Sequence, residues 1–128
     1  MENKSNESQM KRIYAEEWLG KVWSKNDTSV AEKILADNFK DHRPFHRFKN
    51  NKEGHINMAK DWCDAFSDIE ITIEDMIVSG DKLAGRYRGE GMQKSGKRVS
   101  FTEIDIVRFE GGQIVEWWHN EDLNEMMG

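Results

Sequence analysis

The sequence is short of the residues that would commit it to several familiar classes. One cysteine, Cys63, stands in 128 residues, so no intrachain disulfide framework and no thiolate metal cluster can form. One proline, Pro44, interrupts the chain. No apolar run approaches the ~18 residues of a membrane span, and the start lacks the charged-then-apolar pattern of a secretion signal. Positive charge is not in excess: 24 acidic against 19 basic side chains give a net charge of −5. A nucleic-acid binder needs a basic face that displaces phosphate counterions, so that class is disfavoured. The expectation is a cytoplasmic protein with neither a nucleic-acid nor a membrane partner.

What is present is bulk. Hydrophobic residues make up only 37% of the chain, but they include five Trp, six Phe and two Tyr spread along it, which is enough to bury and argues against disorder. The length suits one core. Residues 1–9 are polar and without periodicity, and read as a flexible, frayed start or as the solvated first turn of a helix. Residues 10–128 read as a single domain.

From Met10 the apolar positions Met10, Ile13, Tyr14, Trp18 and Val22 recur at helical spacing, flanked by Leu19 and Trp23, and predict a helix of about four turns. Ser29 and Glu32 have the spacing of a capping box that would start a second helix, with Val30, Ile34 and Leu35 inward and an end near Phe39. Residues 40–48 hold Pro44 and read as an extended piece and a loop. A third helix is expected from Lys52, with Ile56, Ala59, Trp62, Cys63 and Phe66 as its buried stripe and Ser67-Asp68 as its stop. After residue 68 the period changes from 3.6 to 2. Strands are expected over 69–78, 83–92, 99–109 and 113–119, with turns at Ser79-Gly80-Asp81, Ser95-Gly96-Lys97 and Glu110-Gly111-Gly112. Turns this short force antiparallel neighbours, so the expected class is α+β.

Several segments occur in a familiar order: Asp64-Ala-Phe-Ser-Asp-Ile69, Ile73-Glu-Asp-Met-Ile-Val-Ser-Gly80, Ser95-Gly-Lys-Arg-Val-Ser-Phe101, Ile104-Asp-Ile-Val-Arg-Phe109, and Gly112-Gln-Ile-Val-Glu-Trp-Trp118 through Asp122. Together they resemble the SnoaL-like polyketide cyclase (ester cyclase) branch of the NTF2-like superfamily. The resemblance implies an α+β cone, in which about three N-terminal helices pack against a strongly curved, antiparallel-rich sheet around an apolar pocket. It also implies a homodimer through the outer faces of the sheets. The alternation over 99–109 fits that, because Phe101, Val107 and Phe109 share one face while Ile104 and Ile106 make the other apolar too.

Four residues are candidates for catalysis. Asp105 lies on the inward face of its strand. A similar strand in the ketosteroid isomerases carries a protonated Asp that donates to an oxyanion; the other reading is an ion pair with Arg86 or Arg88. Asp122 matches the family's W-x-x-x-D pattern from Trp118, where an Asp acts as acid and base in aldol closure, although strict alternation puts it on the face of Trp118 and it would equally cap a terminal turn before Leu123. His42 follows Asp41 where the family has a D-H or H-D pair near the pocket mouth. It would serve as a proton shuttle or make a structural hydrogen bond. His119 shares the inward alternation of Trp117 and would donate into the pocket.

Trp18, Trp62, Phe66, Tyr87, Phe101 and Trp117 are expected to wall the pocket or fill the core, and Glu103 to narrow or acidify it or to pair with an arginine. His42 and His46 do not form a metal pair, because Pro44 between them removes the helix that would align them. The Arg-x-Asp pair of limonene-type epoxide hydrolases is absent, since the matching stretch reads Arg86-Tyr87-Arg88. The loop 92–96 is shorter than the usual cyclase loop. The expected function is cofactor-independent acid–base chemistry of the aldol cyclase or isomerase type on a small apolar or aromatic carbonyl ligand. The other reading is a non-catalytic ligand-binding or dimerisation module.

Overall fold

A computed structural model describes residues 2–45 and 47–122, with side chains from Asn6 onward. His46 and the expected terminal turn from Leu123 lie outside the described residues. The chain opens with helix α1 (Glu2–Arg12), which runs directly into a π-helical segment (Ile13–Trp23). The polar start from Glu2 is thus part of α1. Over Ile13–Trp23 the expected 3.6-residue pitch is replaced by a wider one. The five-residue repeat of Ile13, Trp18 and Trp23, with Tyr14 and Leu19 beside it, suits that pitch, and all of these side chains are buried.

Helix α2 (Thr28–Ile34) follows Asn26, whose φ is +57°. Its cap is Asp27, which accepts from the Val30 backbone N–H at 3.4 Å, and not the expected Ser29–Glu32 box. Ser29 instead donates its hydroxyl to Asp27. The helix stops at Ile34, earlier than expected, and Leu35–Asp41 forms strand β1. Helix α3 (Lys52–Ala65) is capped by Asn51, whose side chain accepts from Gly54 N at 3.0 Å. Gly54 is required there, because a Cβ would stand 1.9 Å from the Lys49 carbonyl oxygen. Phe66 does not extend α3. It begins strand β2 (Phe66–Ser79), which is followed by β3 (Lys82–Gln93), β4 (Arg98–Glu110) and β5 (Gln113–Asp122).

The sheet order is β1-β5-β4-β3-β2. The last four strands form the expected antiparallel meander, and β1 adds a fifth strand, parallel to β5. Register shifts near Asp68 and Glu74 bend β2 relative to β3, and the curved sheet closes around the helices. The inner face of β3 carries Gly85, Gly89 and Gly91 between Leu83 and Tyr87 and beyond. At Gly85 a Cβ would meet the Tyr14 ring at 2.5 Å, so the missing side chain lets the π-helical segment press onto the strand. The core runs from Met10 and Ile13 through Leu19 and Val22 to Leu83, Val107 and Ile114. Among the described residues no helix is long and apolar enough to cross a membrane.

Candidate active site

A cavity of about 310 Å³ opens between the helices and the inner face of the sheet. One wall is aromatic, with Trp18 and Trp23 from the π-helical segment, Trp62 from α3, Phe101 from β4, and Phe45 and Phe48 from the loop after β1. Trp23 and Trp62 stack at 5.0 Å with their planes 5° apart, and the Trp62 indole donates to the Trp23 carbonyl at 2.9 Å. At the rim Arg47 pairs with Asp61 at 3.0 Å and lies 4.9 Å over the Phe48 ring.

The other wall is polar and comes from strand alternation. On β5, Trp117, His119 and Glu121 point inward; on β4, Phe101, Glu103 and Asp105 do the same. On β1, Phe39 and Asp41 share the inward face. Asp41, 2% exposed, accepts from two histidines. His119 Nε2 lies 3.0 and 3.1 Å from its two oxygens, and His55 Nδ1 lies 3.1 Å from Oδ2. The other nitrogen of His119, Nδ1, bonds Glu121. Burial alone would push the Asp41 carboxyl up. The hydrogen bonds and charges of His119 and His55 outweigh it and hold Asp41 below the usual carboxylate range. Burial likewise opposes the charged form of His119, but Asp41 and Glu121 win and raise its pKa to about 10. His119 is therefore an imidazolium at neutral pH.

His55 differs. Burial pushes its pKa down despite the pull of Asp41, with His119 adding to the fall. A carboxylate only accepts, so the single ring proton of neutral His55 sits on Nδ1 and Nε2 keeps its lone pair. That Nε2 is buried and has no hydrogen-bond partner among the described residues. Trp18 stacks on the imidazole at 4.8 Å, and Trp117 lies 4.9 Å away.

Beside this pair runs a second polar chain. The Tyr14 hydroxyl donates to Asp105 Oδ2 at 2.7 Å. Glu103, the neighbour of Asp105 on the same face, is pushed well above the usual carboxylate range by burial first and by the Asp105 charge second. Burial also raises Asp105, against the hydrogen bonds of Glu103 and Tyr14 that favour its anion. The proton of the pair thus resides on Glu103, which lines the cavity, while Asp105 is fully buried behind it. Tyr87 is hydrogen-bonded to Glu103 and is itself pushed up, chiefly by burial.

The structure gathers His119, Glu103, Trp18, Trp62, Tyr87, Phe101 and Trp117 around one cavity. It does not bring four other candidates there. His42 points to the outer face of the sheet, where it stacks on Trp118 at 4.4 Å and bonds Glu116 at 2.7 Å. The inward member of the Asp41-His42 pair is the aspartate. Asp122 is exposed on the outer face opposite Thr102, as strict alternation requires without an intervening bulge. Asp105 is not paired with arginine: Arg86 faces Glu74 at 3.8 Å and Arg88 bonds Ser100 at 2.9 Å, both on the outer side. Phe66 is half-buried and packs on Trp62 at 4.5 Å, outside the cavity lining.

Three central residues escaped the sequence reading although a signal existed for each. His55 lies four before Ala59 and seven before Trp62 on the same helix face, Asp41 lies two after Phe39, and Glu121 lies two after His119. Among the described residues no cluster of His, Cys, Asp and Glu has metal-holding geometry.

A family model described as SnoaL-like polyketide cyclase matches residues 13–128. A candidate polyketide cyclase from Bacillus cereus ATCC 10987 is 30% identical over 79% of this chain and 67% of its own, with a TM-score of 0.74. TsrD from Streptomyces laurentii is 22% identical over 95% of this chain and 92% of its own, with a TM-score of 0.78. An LEH-like epoxide hydrolase from M. tuberculosis is 15% identical over 94% and 87%, with a TM-score of 0.73; at that identity the likeness is one of fold. No protein of curated function matches.

Proposed function

The chain belongs to the SnoaL-like polyketide cyclase family, and from that premise we propose that its cavity carries out cofactor-independent acid–base chemistry on a small apolar carbonyl compound. The observation that supports this most directly is the Asp41–His55 pair. The carboxylate holds Nδ1–H, and the lone pair on Nε2 has no partner among the described residues of a cavity walled by aromatic rings. An unsatisfied buried acceptor costs ~1–3 kcal/mol, a cost that makes sense where a substrate supplies the missing proton.

In this reading His55 Nε2 removes a proton from the carbon beside the carbonyl. The C–H bond breaks, its electron pair forms the enolate, and the developing oxyanion takes the proton of Glu103. Return of the two protons at different atoms gives isomerisation; attack of the enol carbon on a second carbonyl, with the enol proton going back to Glu103 and the His55 imidazolium protonating the new alkoxide, gives aldol closure. A general base and a general acid of this kind contribute roughly 10²–10⁴-fold each. Arg86 and Arg88 face outward, and the stretch lacks the Asp that would complete the Arg-x-Asp pair of limonene-type epoxide hydrolases. A cavity of about 310 Å³ is at the small end of ligand sites and suits one or two fused rings.

Deuterium exchange at the α-carbon of 2-tetralone, followed by proton NMR, tests the reading. Wild-type protein is expected to accelerate exchange, His55→Ala to lose roughly 10²–10⁴-fold, and Asp122→Asn and His42→Gln to change little. Exchange by His55→Ala at the wild-type rate, with binding intact, would leave a ligand-binding module instead.

A further inference from the structure

His119 was expected to donate into the cavity, yet both of its ring nitrogens are already engaged. Nε2 contacts both oxygens of Asp41 at 3.0 and 3.1 Å, and Nδ1 bonds Glu121. A histidine that touches a carboxylate on each side must carry a proton on each nitrogen, because neither partner donates when ionised. Asp41 Oδ2 is shared, since the same oxygen lies 3.1 Å from His55 Nδ1. The two imidazoles are 6.4 Å apart between ring centroids, so one carboxylate serves two rings.

One carboxylate between two histidines cannot favour charge on both. We propose that His119 is a positioning residue that acts through Asp41: as a fixed cation clamped by Glu121 and Asp41, it takes up the aspartate's charge and so keeps His55 a neutral base. Without it, the Asp41 anion would keep only the neutral Arg43 backbone N–H beside His55, and in a water-poor site it would draw a second proton onto Nε2, which would abolish the lone pair that the proposed reaction uses. This rests on the acid–base reading above for its purpose, but not for its test.

The remaining groups around the two rings do not replace His119. Asp105 on β4 lies behind them and favours charge on His55; Tyr14 is committed to Asp105; Glu103 holds a proton. The Arg43 guanidinium reaches the His119 carbonyl oxygen at 3.4 Å, and its backbone N–H donates to Asp41 Oδ1 at 2.9 Å without bringing a charge; Arg47 and Asp61 pair with each other at the rim. Among the described residues His119 is the one cation in hydrogen-bond contact with Asp41.

Nitrogen-15 NMR of the uniformly labelled protein reads both rings without any substrate. At pH 7 the wild-type protein is expected to show His119 protonated on both nitrogens and His55 neutral with its proton on Nδ1. In His119→Gln the His55 midpoint should move up in pH, and the acidic limb of the 2-tetralone exchange profile should move up with it. In Asp41→Asn the His55 midpoint should move down. A neutral His119 in the wild-type protein at pH 7, or a His55 midpoint that is unmoved or lowered in His119→Gln, overturns the proposal. Should His119→Gln not fold, the wild-type spectra decide alone. A failure of the acid–base reading is distinct, because it would appear as exchange that survives His55→Ala while both protonation states remain as expected.

Discussion

At the scale of single residues the site is a problem of where protons reside. His119 holds two because two carboxylates outweigh its burial, Glu103 holds one because burial and Asp105 oppose its charge, and His55 holds only one because burial and His119 oppose a second. The first of these ties stability to pH. The folded His119 keeps its proton to about 10 while an ordinary histidine releases it near 6.5. Its contribution is therefore complete below 6.5 and lost as pH rises through 10. Glu103 acts in the same direction, since a carboxyl raised by folding loses stability as pH climbs from the ordinary value near 4.5, where the unfolded chain ionises, toward its own raised value. Melting temperature should therefore fall between pH 6.5 and about 10, and less steeply in His119→Gln; a flat wild-type profile would contradict the assignment. Glu103→Gln keeps the shape and removes the proton that is delivered. It should leave the melting temperature at pH 6 nearly unchanged and lower 2-tetralone exchange by roughly 10²-fold or more.

At the scale of elements, the position of the site depends on how closely the π-helical segment approaches β3. The Tyr14 ring occupies the space where Gly85 has no side chain, and from there its hydroxyl reaches Asp105. Gly85→Ala should force the ring away and cost about 1–3 kcal/mol, as overpacked cores do, measurable by urea unfolding. The same variant should lower the Asp105–Glu103 support and slow exchange, whereas Gly80→Ala, strained by its φ of +62° but at a turn away from the cavity, should cost stability and leave exchange untouched. Helix α3 supplies His55 on one side and Cys63 on another. Cys63 is half-buried with Sγ 3.3 Å from the Trp23 carbonyl oxygen, and burial pushes its thiol up. It should react with thiol reagents far more slowly in the folded protein than in urea, and rapid native labelling would show that this end of α3 opens.

At the scale of the whole molecule, the sheet has two unlike faces. The inner one closes the cavity, while the outer one leaves Ile77, Ile104 and Ile106 exposed, alongside the Trp118 ring under His42 and Lys82. Exposed isoleucines on β2 and β4, one strand apart across the same face, suit a second copy of this chain, and a stable pairing would bury ~1,200–2,000 Å² in total. Light scattering at micromolar concentration should then report twice the chain mass, and Ile104→Glu should return the monomer without loss of cavity residues. A monomeric wild-type protein would remove that expectation.

The periodicity of the chain by itself determined that helical stretches precede a four-strand meander, and which faces of β4 and β5 turn inward, because burial of alternate residues is a local constraint that sequence records. The ordered motifs determined the family. Alternation alone turned Asp122 outward with Trp118, and the helical spacing of His55 with Ala59 and Trp62 already put the imidazole on the buried face of α3. The early end of α2 was not legible, since Leu35 and Phe39 fit a helical stripe as well as a strand until β5 offers its edge to β1. Only that pairing turns Asp41 inward and His42 outward, and only closure of the sheet over the helices brings β1, α3 and β5 to one point. There a single carboxylate meets two histidines 14 and 78 residues away in sequence. Hydrogen bonding and desolvation at that distance in the chain depend on tertiary contact, so no pattern of neighbours along the sequence could assign which histidine carries charge and which keeps its lone pair.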